Sequence, residues 1–189
     1  MRNLLLIEND GNKHPLGSAL SHADYRIRKI QDHYSLTVHV KEFSPDLVIF
    51  NLSVITEAFI NELNALNTRL SLPVMVFTDE CNSAQIKKLI QAEVSVLKVN
   101  GLPRSGVDGL IEIAIARFRH IEALKNALEN ARTQLEDRKQ IDRAKAILIK
   151  TRNYSEDEAY HTLRKLAMGR NVTLGEMARN VIAMADLLK

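Results

Sequence analysis

The sequence predicts an α/β protein: a doubly wound parallel sheet, followed by a long helix and a small all-α module of three helices. Three observations predict this order. Short apolar runs alternate with helical stretches over the first 120 residues or so. A proline-free segment rich in good helix formers follows, and two further helix starts lie beyond it. With 46% hydrophobic and 26% charged residues, the composition is that of a globular protein.

Three apolar runs predict strands that are buried on both faces, because none of them alternates apolar with polar residues. They are Leu4–Ile7, Leu47–Phe50 and Val74–Phe77. Val94–Val99 is a fourth candidate, and Tyr25–Ile30 alternates and predicts a more exposed strand. Helical stretches lie near His14–Ala23, Ser35–Phe43, Glu57–Leu70 and Ser83–Ala92. Repeated strand–helix order implies right-handed crossovers, and ligands of such sheets bind at the carboxyl ends of the strands.

Polar side chains follow the predicted strands at those carboxyl ends. Glu8, Asn9 and Asp10 follow the first strand, Asn51 follows the third and Thr78 the fourth. This pattern resembles the receiver domain of response regulators, a flavodoxin-like fold, over about residues 1–120. That family has two acidic residues after the first strand, an aspartate after the third, Ser or Thr after the fourth and Lys after the fifth. Glu8 and Asn9 therefore fill the two acidic positions, and Thr78 keeps the hydroxyl.

Asn51 stands where the receiver family has the aspartate that accepts phosphate. A carboxamide is a far poorer nucleophile than a carboxylate and carries no charge to help hold a magnesium ion. Counted from Glu93, Asn100 takes the position of the family's lysine; Lys98, two residues earlier on the same face, is the alternative. Losing the carboxylate and the ammonium together leaves neither charge unpaired. We therefore expect a pseudo-receiver that does not transfer phosphate.

The sequence predicts neither a cofactor nor a built metal site. Glu8 and Asp10 form either a weak site for a hard cation or a solvated carboxylate cluster. Cys81 is the only cysteine, and none of the six histidines pairs with another at helical ligand spacing. No glycine-rich phosphate loop, nucleophile elbow or pair of catalytic carboxylates is present, so we do not expect an enzyme.

The hydropathy pattern predicts no membrane partner. No apolar run approaches the roughly 20 residues that span a bilayer. The N-terminus leads directly into Leu4–Ile7 and then acidic residues, without the longer apolar core of a signal peptide. We expect a soluble, cytoplasmic protein.

A helix is predicted from about Ser105 to Lys150, interrupted by glycine only at its very start. A helix of about 40 residues would be roughly 60 Å long, too long to lie entirely on a small domain. Five residues fall at the a and d spacing of a coiled coil: Ile121, Leu124, Leu128, Ala131 and Leu135. We expect a homodimer with parallel or antiparallel pairing, although a single intramolecular packing stripe would give the same pattern.

Two capping boxes predict the starts of the last two helices. Ser155 and Glu158 form the first, and Thr173 and Glu176 form the second. Together with residues 134–150, these helices make the three-helix module.

Three spaced blocks of this region resemble the ANTAR module, the transcription antitermination domain of the amide- and nitrate-regulator type. They are Arg138–Leu148, Ser155–Tyr160 and Leu163–Met168, and the match covers about residues 130–188. Family members usually have glycine where Ala146 stands. Asn100–Leu102 and Ile113–Arg119 resemble the nitrate-assimilation type. The resemblance divides the chain into a pseudo-receiver (1–120), a coiled-coil linker (121–133) and an ANTAR domain (134–189).

The resemblance implies RNA binding: such regulators bind paired stem-loops of a nascent leader transcript and prevent a terminator from forming. It also implies a ligand-sensing protein partner that holds the regulator inactive. From Arg138 to Arg170 the sequence has nine basic and four acidic residues, although the whole chain carries only +3. The residues expected to contact RNA are Arg138, Lys139, Arg143, Lys145, Arg164 and Lys165. Tyr160 either stacks on an unpaired base or packs in the core, and Arg164 either contacts RNA or ties helices together.

A DNA-binding response regulator, with the last two helices as a helix-turn-helix, is the alternative function. Gly169–Val172 suits its turn, but the helix that follows offers few side chains to read bases: Arg179, Asn180 and Lys189.

Overall fold

The computed structural model describes residues 1–8, 16, 20, 25–31, 36–67, 70–100 and 106–187. Most of the helix expected near His14–Ala23 lies outside these residues, as do Asn9, Asp10, Gly101 and Leu102. The chain divides into two compact units, Met1–Glu122 and Ala123–Lys189.

The first unit is built on a five-stranded parallel sheet, which confirms the predicted fold class. Its strands are β1 (Arg2–Glu8), β2 (Tyr25–Ile30), β3 (Leu47–Val54), β4 (Val74–Glu80) and β5 (Val96–Val99). Their order in the sheet is β2-β1-β3-β4-β5, and every pair of neighbours is parallel. All five predicted strands form. β3 and β4 continue beyond their apolar runs, so the polar residues that end those runs are still strand residues.

Helices cover both faces of this sheet, which explains why its central strands read as continuous apolar runs. The helices of the first unit are α1 (Leu36–Phe43), α2 (Glu57–Asn67), α3 (Ser83–Gln91) and the start of α4 (Val107–Arg152). Alternate residues of each strand join opposite cores. Leu5 and Phe50 pack with α1 and α2, whereas Leu6, Ile49 and Phe77 pack with the beginning of α4.

The register of the strands fixes which polar residues become neighbours at the carboxyl edge. Glu8 of β1 lies beside Asn51 of β3, and Thr78 of β4 lies beside Val99 of β5. On the other side of β1, Leu6 lies beside Lys29 of β2. Because side chains alternate between faces along a strand, Lys29 projects on the same face as Glu8.

The second unit consists of three helices around a small core. α4 is one continuous helix of 46 residues, and α5 (Glu156–Arg170) and α6 (Leu174–Leu187) follow it. Six buried residues form the core: Ala144, Leu163, Ala167, Met177, Ala178 and Ile182. Three of the six are alanines, which allow the helices to approach closely.

Caps determine where α5 and α6 begin. The Ser155 hydroxyl accepts the N–H of Glu158, and the Glu158 carboxylate accepts the N–H of Ser155 at 2.8 Å, which confirms the first predicted capping box. At α6 the Thr173 hydroxyl accepts the N–H of Glu176 at 3.1 Å. Within the described residues, the second bond of a capping box, from the N–H of Thr173 to the Glu176 carboxylate, does not form. The second predicted box is therefore only half made.

No helix in the described part of the chain combines the length and the apolar character that a membrane span needs. Although α4 is long enough, it carries charged residues along its whole length.

Candidate functional sites: a filled carboxylate pocket and a basic helical surface

The carboxyl ends of β1 and β3 are joined by a hydrogen bond between two buried side chains. Glu8 is 1% exposed and Asn51 is 7% exposed. The Asn51 side-chain amide donates to Glu8 Oε1 at 2.5 Å, and the backbone N–H of Leu16 donates to the same oxygen at 2.7 Å. Asn51, which the sequence predicts to stand at the phosphoacceptor position, therefore acts as a hydrogen-bond donor to the neighbouring carboxylate.

Lys29 supplies the positive charge at the other oxygen of Glu8. Glu8 Oε2 is buried and accepts no hydrogen bond from the described residues, but the Lys29 ammonium lies 3.4 Å from it. A buried carboxylate without a counter-charge is costly, and this ion pair reduces the cost. Lys29 was missed by sequence reasoning, since it reaches the pocket from β2. Its alternating position on an exposed strand was the only available signal.

Thr78 is buried at the end of β4, but its hydroxyl is directed to the backbone. Its Oγ1 donates to the carbonyl of Glu80 at 3.0 Å and lies 3.4 Å from that of Ser53. One hydroxyl proton is shared between these two acceptors. The predicted pocket residue is thus in place, but it holds the ends of β3 and β4.

The residues after β5 stand apart from the Glu8–Asn51 pair. Glu93 and Asn100 both have a left-handed backbone, with φ values of 58° and 68°. Glu93 is the residue from which Asn100 was counted, and its left-handed backbone is a conformation that glycine adopts most easily. Asn100 is exposed and Lys98 is half-buried. In the described part of the chain, no hydrogen bond or ion pair joins either side chain to Glu8 or Asn51.

The described residues at this edge, which do not include Asn9 and Asp10, do not fit the magnesium ion that a receiver fold implies. One oxygen of Glu8 accepts two N–H groups, and the other faces an ammonium. Within the described residues, no group of three His, Cys, Asp or Glu side chains comes together that could hold a metal. A hard cation would need oxygen ligands that here are already engaged.

Among the basic residues of the second unit, Lys145 is the most enclosed. Its side chain is 17% exposed, and its ammonium lies 2.8 Å from Asp142 and 2.9 Å from Glu156. Hydrogen bonds to Asp142 and then to Glu156 raise the pKa of Lys145, and the bond from Lys145 lowers the pKa of Asp142. Lys145 thus links α4 to the first turn of α5.

The six predicted RNA contacts do not form one patch. Lys145 faces α5, whereas Arg143, two residues earlier, lies 3.6 Å from Asp186 of α6. Lys139 lies 4.0 Å from Glu136 on its own helix. Residues two apart on a helix project about 200° from each other, so the two flanks of α4 carry different members of the set.

Six of the nine cations between Arg138 and Arg170 have no ion pair within the described residues. They are Arg138, Lys150, Arg152, Arg164, Lys165 and Arg170. Several acids of the unit are engaged elsewhere: Asp137 pairs with Arg179 at 2.5 Å, and Glu158 caps α5. Lys150, Arg152 and Arg170 stand in the last turn of a helix, where the helix dipole favours a cation. Part of the excess positive charge therefore also stabilises the helices.

The exposed side of α5 combines these charges with apolar surface. Lys165 and Arg170 line an open depression of about 540 Å³, together with Thr162, Leu166 and Gly169. Tyr160 is half-exposed and packs edge-on against the ring of His161. Of its two predicted roles, core packing is not supported, because Tyr160 does not belong to the hydrophobic core described for this unit.

A stripe of leucines on α4 is exposed in the single chain. Leu124, Leu128 and Leu135 are 57%, 53% and 58% exposed. Ala131 completes the stripe, and Ile121, at the end of the first unit, is half-buried. From Leu124 onward, the predicted a and d positions thus share one face that the described residues leave uncovered.

The first unit has the fold of signal receiver domains. It resembles the receiver domain of a modulated diguanylate cyclase from Desulfovibrio desulfuricans G20, with a TM-score of 0.53 and 14% identity over 63% of this chain and 97% of that one. The BeF3-activated receiver domain of RstA from Klebsiella pneumoniae gives a TM-score of 0.51 and 15% identity over 60% of this chain and 97% of that domain. At such identity, the likeness concerns the fold alone.

The family model of the ANTAR domain matches residues 129–182, which include the end of α4, all of α5 and most of α6. The chain carries an ANTAR domain. This match confirms the ANTAR module that the sequence predicted, and a unit with the receiver fold precedes it in the chain.

Two curated relatives are regulatory proteins. The transcriptional regulatory protein PdtaR of Mycobacterium tuberculosis is 27% identical over 138 residues, which cover 73% of this chain and 67% of the relative. The nitrate regulatory protein of Klebsiella oxytoca is 30% identical over 78 residues, which cover 41% of this chain and 20% of the relative. All six cations without an ion pair lie within the matched ANTAR domain.

Proposed function

We propose that this chain is an RNA-binding transcription antitermination regulator that acts on hairpins of nascent leader mRNA. The observation that carries the proposal is the set of six basic side chains in the ANTAR domain that form no ion pair within the described residues. Unneutralised Lys and Arg side chains release counterions from a phosphate backbone, which is the main source of affinity for nucleic acid. The predicted contacts Arg138, Arg164 and Lys165 belong to this set, so they are the first residues to test.

The surface of α5 suits RNA with unpaired bases better than a regular duplex. Proteins recognise hairpin loops by stacking splayed bases on aromatic or planar side chains while cations hold the phosphates. Tyr160 and His161 offer half-open rings, and Leu166 lies between Lys165 and Arg170. These supply an apolar platform within reach of positive charge.

The receiver-like unit is proposed to be controlled by binding rather than by phosphorylation. Its predicted phosphoacceptor position holds an amide whose nitrogen is bonded to Glu8, so no carboxylate nucleophile is available there. Control then has to come from another molecule. A ligand-sensing protein that holds the regulator inactive, as the family implies, fulfils this requirement.

The exposed leucine stripe of α4 is proposed to be covered by a second copy of the chain. An a and d stripe on a long, mostly exposed helix is the surface that a coiled-coil partner buries. Two copies would present two ANTAR domains, which fits a leader with paired hairpins and raises the affinity through bivalency.

The DNA-binding alternative is less well supported. A helix-turn-helix requires α6 to present side chains to base edges. Arg179 is its one arginine, and this arginine is bonded to Asp137 at 2.5 Å. Without Arg179, few groups on α6 remain to read a major groove.

A binding assay with matched nucleic acids tests the RNA proposal. A two-hairpin leader RNA and a duplex DNA of the same sequence are titrated with the full chain over a series of salt concentrations. We expect tighter binding to the RNA, with an affinity that falls steeply as salt rises. Stronger binding to the duplex DNA would favour the helix-turn-helix function instead.

The phosphate proposal is tested separately. The full chain is incubated with acetyl phosphate and magnesium, and its intact mass is measured. We expect an unchanged mass; a stoichiometric phosphorylated species would refute this part of the proposal.

A further inference from the structure

Three charged or polar groups meet at the carboxyl edge of the sheet, and they come from three neighbouring strands. Glu8 stands at the end of β1, Asn51 lies beside it on β3, and Lys29 reaches it from β2. The carboxylate is 1% exposed, whereas the side chain of Lys29 is 42% exposed. The long aliphatic stem of Lys29 therefore carries its charge from the surface to a buried acid.

The ion pair is oriented by the hydrogen bonds on the opposite oxygen. Asn51 and the N–H of Leu16 both donate to Oε1 of Glu8, so that oxygen has two donors. In the part of the chain that the structure describes, Oε2 accepts no hydrogen bond, and it lies 3.4 Å from the Lys29 ammonium. The carboxylate therefore has donors on one side and a full positive charge on the other.

We propose that Lys29 takes the place of the divalent cation in this receiver-like pocket. Its ammonium balances the charge of Glu8, so this carboxylate needs no metal ion as its counter-charge. The inference rests on the proposed function, because it deepens the claim that the receiver-like unit takes no phosphate. The counter-charge of Glu8 then comes from a residue of β2. In receiver domains the functional side chains follow the first, third, fourth and fifth strands, so Lys29 lies outside those positions.

This assignment explains how the carboxylate of Glu8 can persist once the neighbouring position is an amide. A buried carboxylate that loses its cation must either take up a proton or acquire a new counter-charge. Asn51 donates a hydrogen bond but carries no charge. Lys29 brings the missing positive charge. Because Lys29 is part of the chain, no free ion has to be captured from solution.

Thermal unfolding of the full chain tests the proposal, with the transition of the receiver-like unit as the readout. We expect Lys29→Met to lower its Tm by about 5 °C or more, because Glu8 is left buried and unpaired. Glu8→Gln in the same chain should recover most of that loss. Millimolar magnesium should raise the Tm of Lys29→Met while leaving that of the wild type unchanged.

The matched control is Lys88→Met. Lys88 lies 2.7 Å from Glu57, closer than Lys29 lies to Glu8, but both members of this pair are exposed. Exposed pairs contribute little, so the Tm should change by no more than about 2 °C. Lys29→Arg keeps the positive charge on a different head group, and we expect its Tm to stay near that of the wild type. This variant still tests the role of the charge if Lys29→Met does not fold.

The proposal is overturned if Lys29→Met behaves like Lys88→Met, or if Glu8→Gln fails to rescue it. Loss of stability in Lys29→Arg equal to that in Lys29→Met would also overturn it, because packing and not charge would then be responsible. These outcomes are separate from the acetyl phosphate test. A phosphorylated wild type defeats the proposed function, whereas failed rescue in an unphosphorylated protein defeats only the role of Lys29.

Discussion

Asp137 of α4 lies directly against Gly175 in the first turn of α6, in the space that a Cβ atom on Gly175 would occupy. The same carboxylate accepts a hydrogen bond from Arg179, one turn further along α6, at 2.5 Å. A negative charge is favourable at this end of a helix. The contact of Asp137 with Gly175 and its bond to Arg179 thus fix α6 against α4 at one point. Asp137 can approach this closely because Gly175 has no side chain.

Gly175→Ala should therefore destabilise the ANTAR domain, although alanine is the better helix former. The added methyl group has to displace Asp137 and breaks its bond to Arg179, and overpacking of this kind costs about 1–3 kcal/mol. Urea unfolding followed by helical circular dichroism measures the change in the free energy of unfolding.

Gly169→Ala is the matched control, since a Cβ atom on Gly169 meets nothing within 4 Å. We expect this variant to be neutral or more stable by up to about 1 kcal/mol, which is the intrinsic preference of a helix for alanine. Equal effects of the two substitutions would mean that the contact between Asp137 and Gly175 has no energetic role.

Removing a cation that has no ion pair should weaken RNA binding without affecting the fold. For Lys165→Gln and Arg138→Gln we expect an unchanged Tm and a shallower salt dependence of binding, by about one counterion for each phosphate that the variant no longer neutralises. Fluorescence anisotropy with a labelled two-hairpin RNA at several salt concentrations measures the affinity and its salt dependence, and thermal unfolding measures the Tm.

Lys145→Ala serves as the contrasting variant. Its loss leaves Asp142 and Glu156 without their shared counter-ion, so we expect a lower Tm for the ANTAR domain. If Lys165→Gln lowers the Tm while Lys145→Ala does not, the division between structural and RNA-binding cations is wrong.

The cap of α5 should make the ANTAR domain sensitive to acid. The backbone hydrogen bond from Ser155 lowers the pKa of Glu158. A carboxyl group whose pKa is lower in the folded state stabilises the fold above its unfolded pKa of about 4.3, and this contribution is lost as the pH falls through the folded pKa. Glu158→Gln should therefore show a smaller loss of stability than the wild type between about pH 5 and pH 3, measured by urea unfolding at each pH.

Ser155→Ala provides a second test of the same cap. Losing the hydroxyl that accepts the N–H of Glu158 should cost roughly 1 kcal/mol at neutral pH. An acid sensitivity that is identical in all three proteins would show that the carboxylate of Glu158 does not determine it.

If a second copy covers the leucine stripe, as proposed, the charges beside the stripe favour a parallel pairing of the two α4 helices. Lys125, Arg132 and Lys139 recur every seven residues at the e positions of the heptad. An antiparallel pair would bring e positions of the two helices together, and like charges would then repel. In a parallel pair the e positions face g positions, which here hold His120, Ala127 and Gln134.

Cysteine crosslinking tests this orientation in a Cys81→Ser background. Leu124→Cys places a thiol at a d position, where a parallel in-register dimer brings it next to its own copy within reach of a disulfide. We expect a covalent dimer on mild oxidation, measured by non-reducing electrophoresis. Glu129→Cys, at an outward b position, should remain monomeric on the gel. Equal crosslinking of both variants would exclude the predicted interface.

The strands and the long helix were predictable because their signals are periodic and local. Leu47–Phe50 is apolar throughout, as a strand covered on both faces must be, and the cap at Ser155 follows from residues only three apart. The same type of signal at Asn82 and Gln85, which form a complete capping box before α3, was available in the sequence and was missed.

The remaining features depend on distances that no local pattern contains. Lys29 reaches Glu8 across a neighbouring strand, and Gly175 is needed because of a residue that lies 38 positions earlier, Asp137. Counting charges predicted Lys145 as an RNA contact, but a count does not reveal that two carboxylates already hold its ammonium. Its role in binding stays a prediction.

The bond between Asn51 and Glu8 also affects how a signal could end. Acyl phosphates preserve a past stimulus until they hydrolyse, so a phosphorylated regulator has a memory measured by a chemical half-life. If the receiver-like unit takes no phosphate, as proposed, it stores nothing covalently. Its output would follow the concentration and the residence time of whatever molecule binds it, and silencing would require only dissociation.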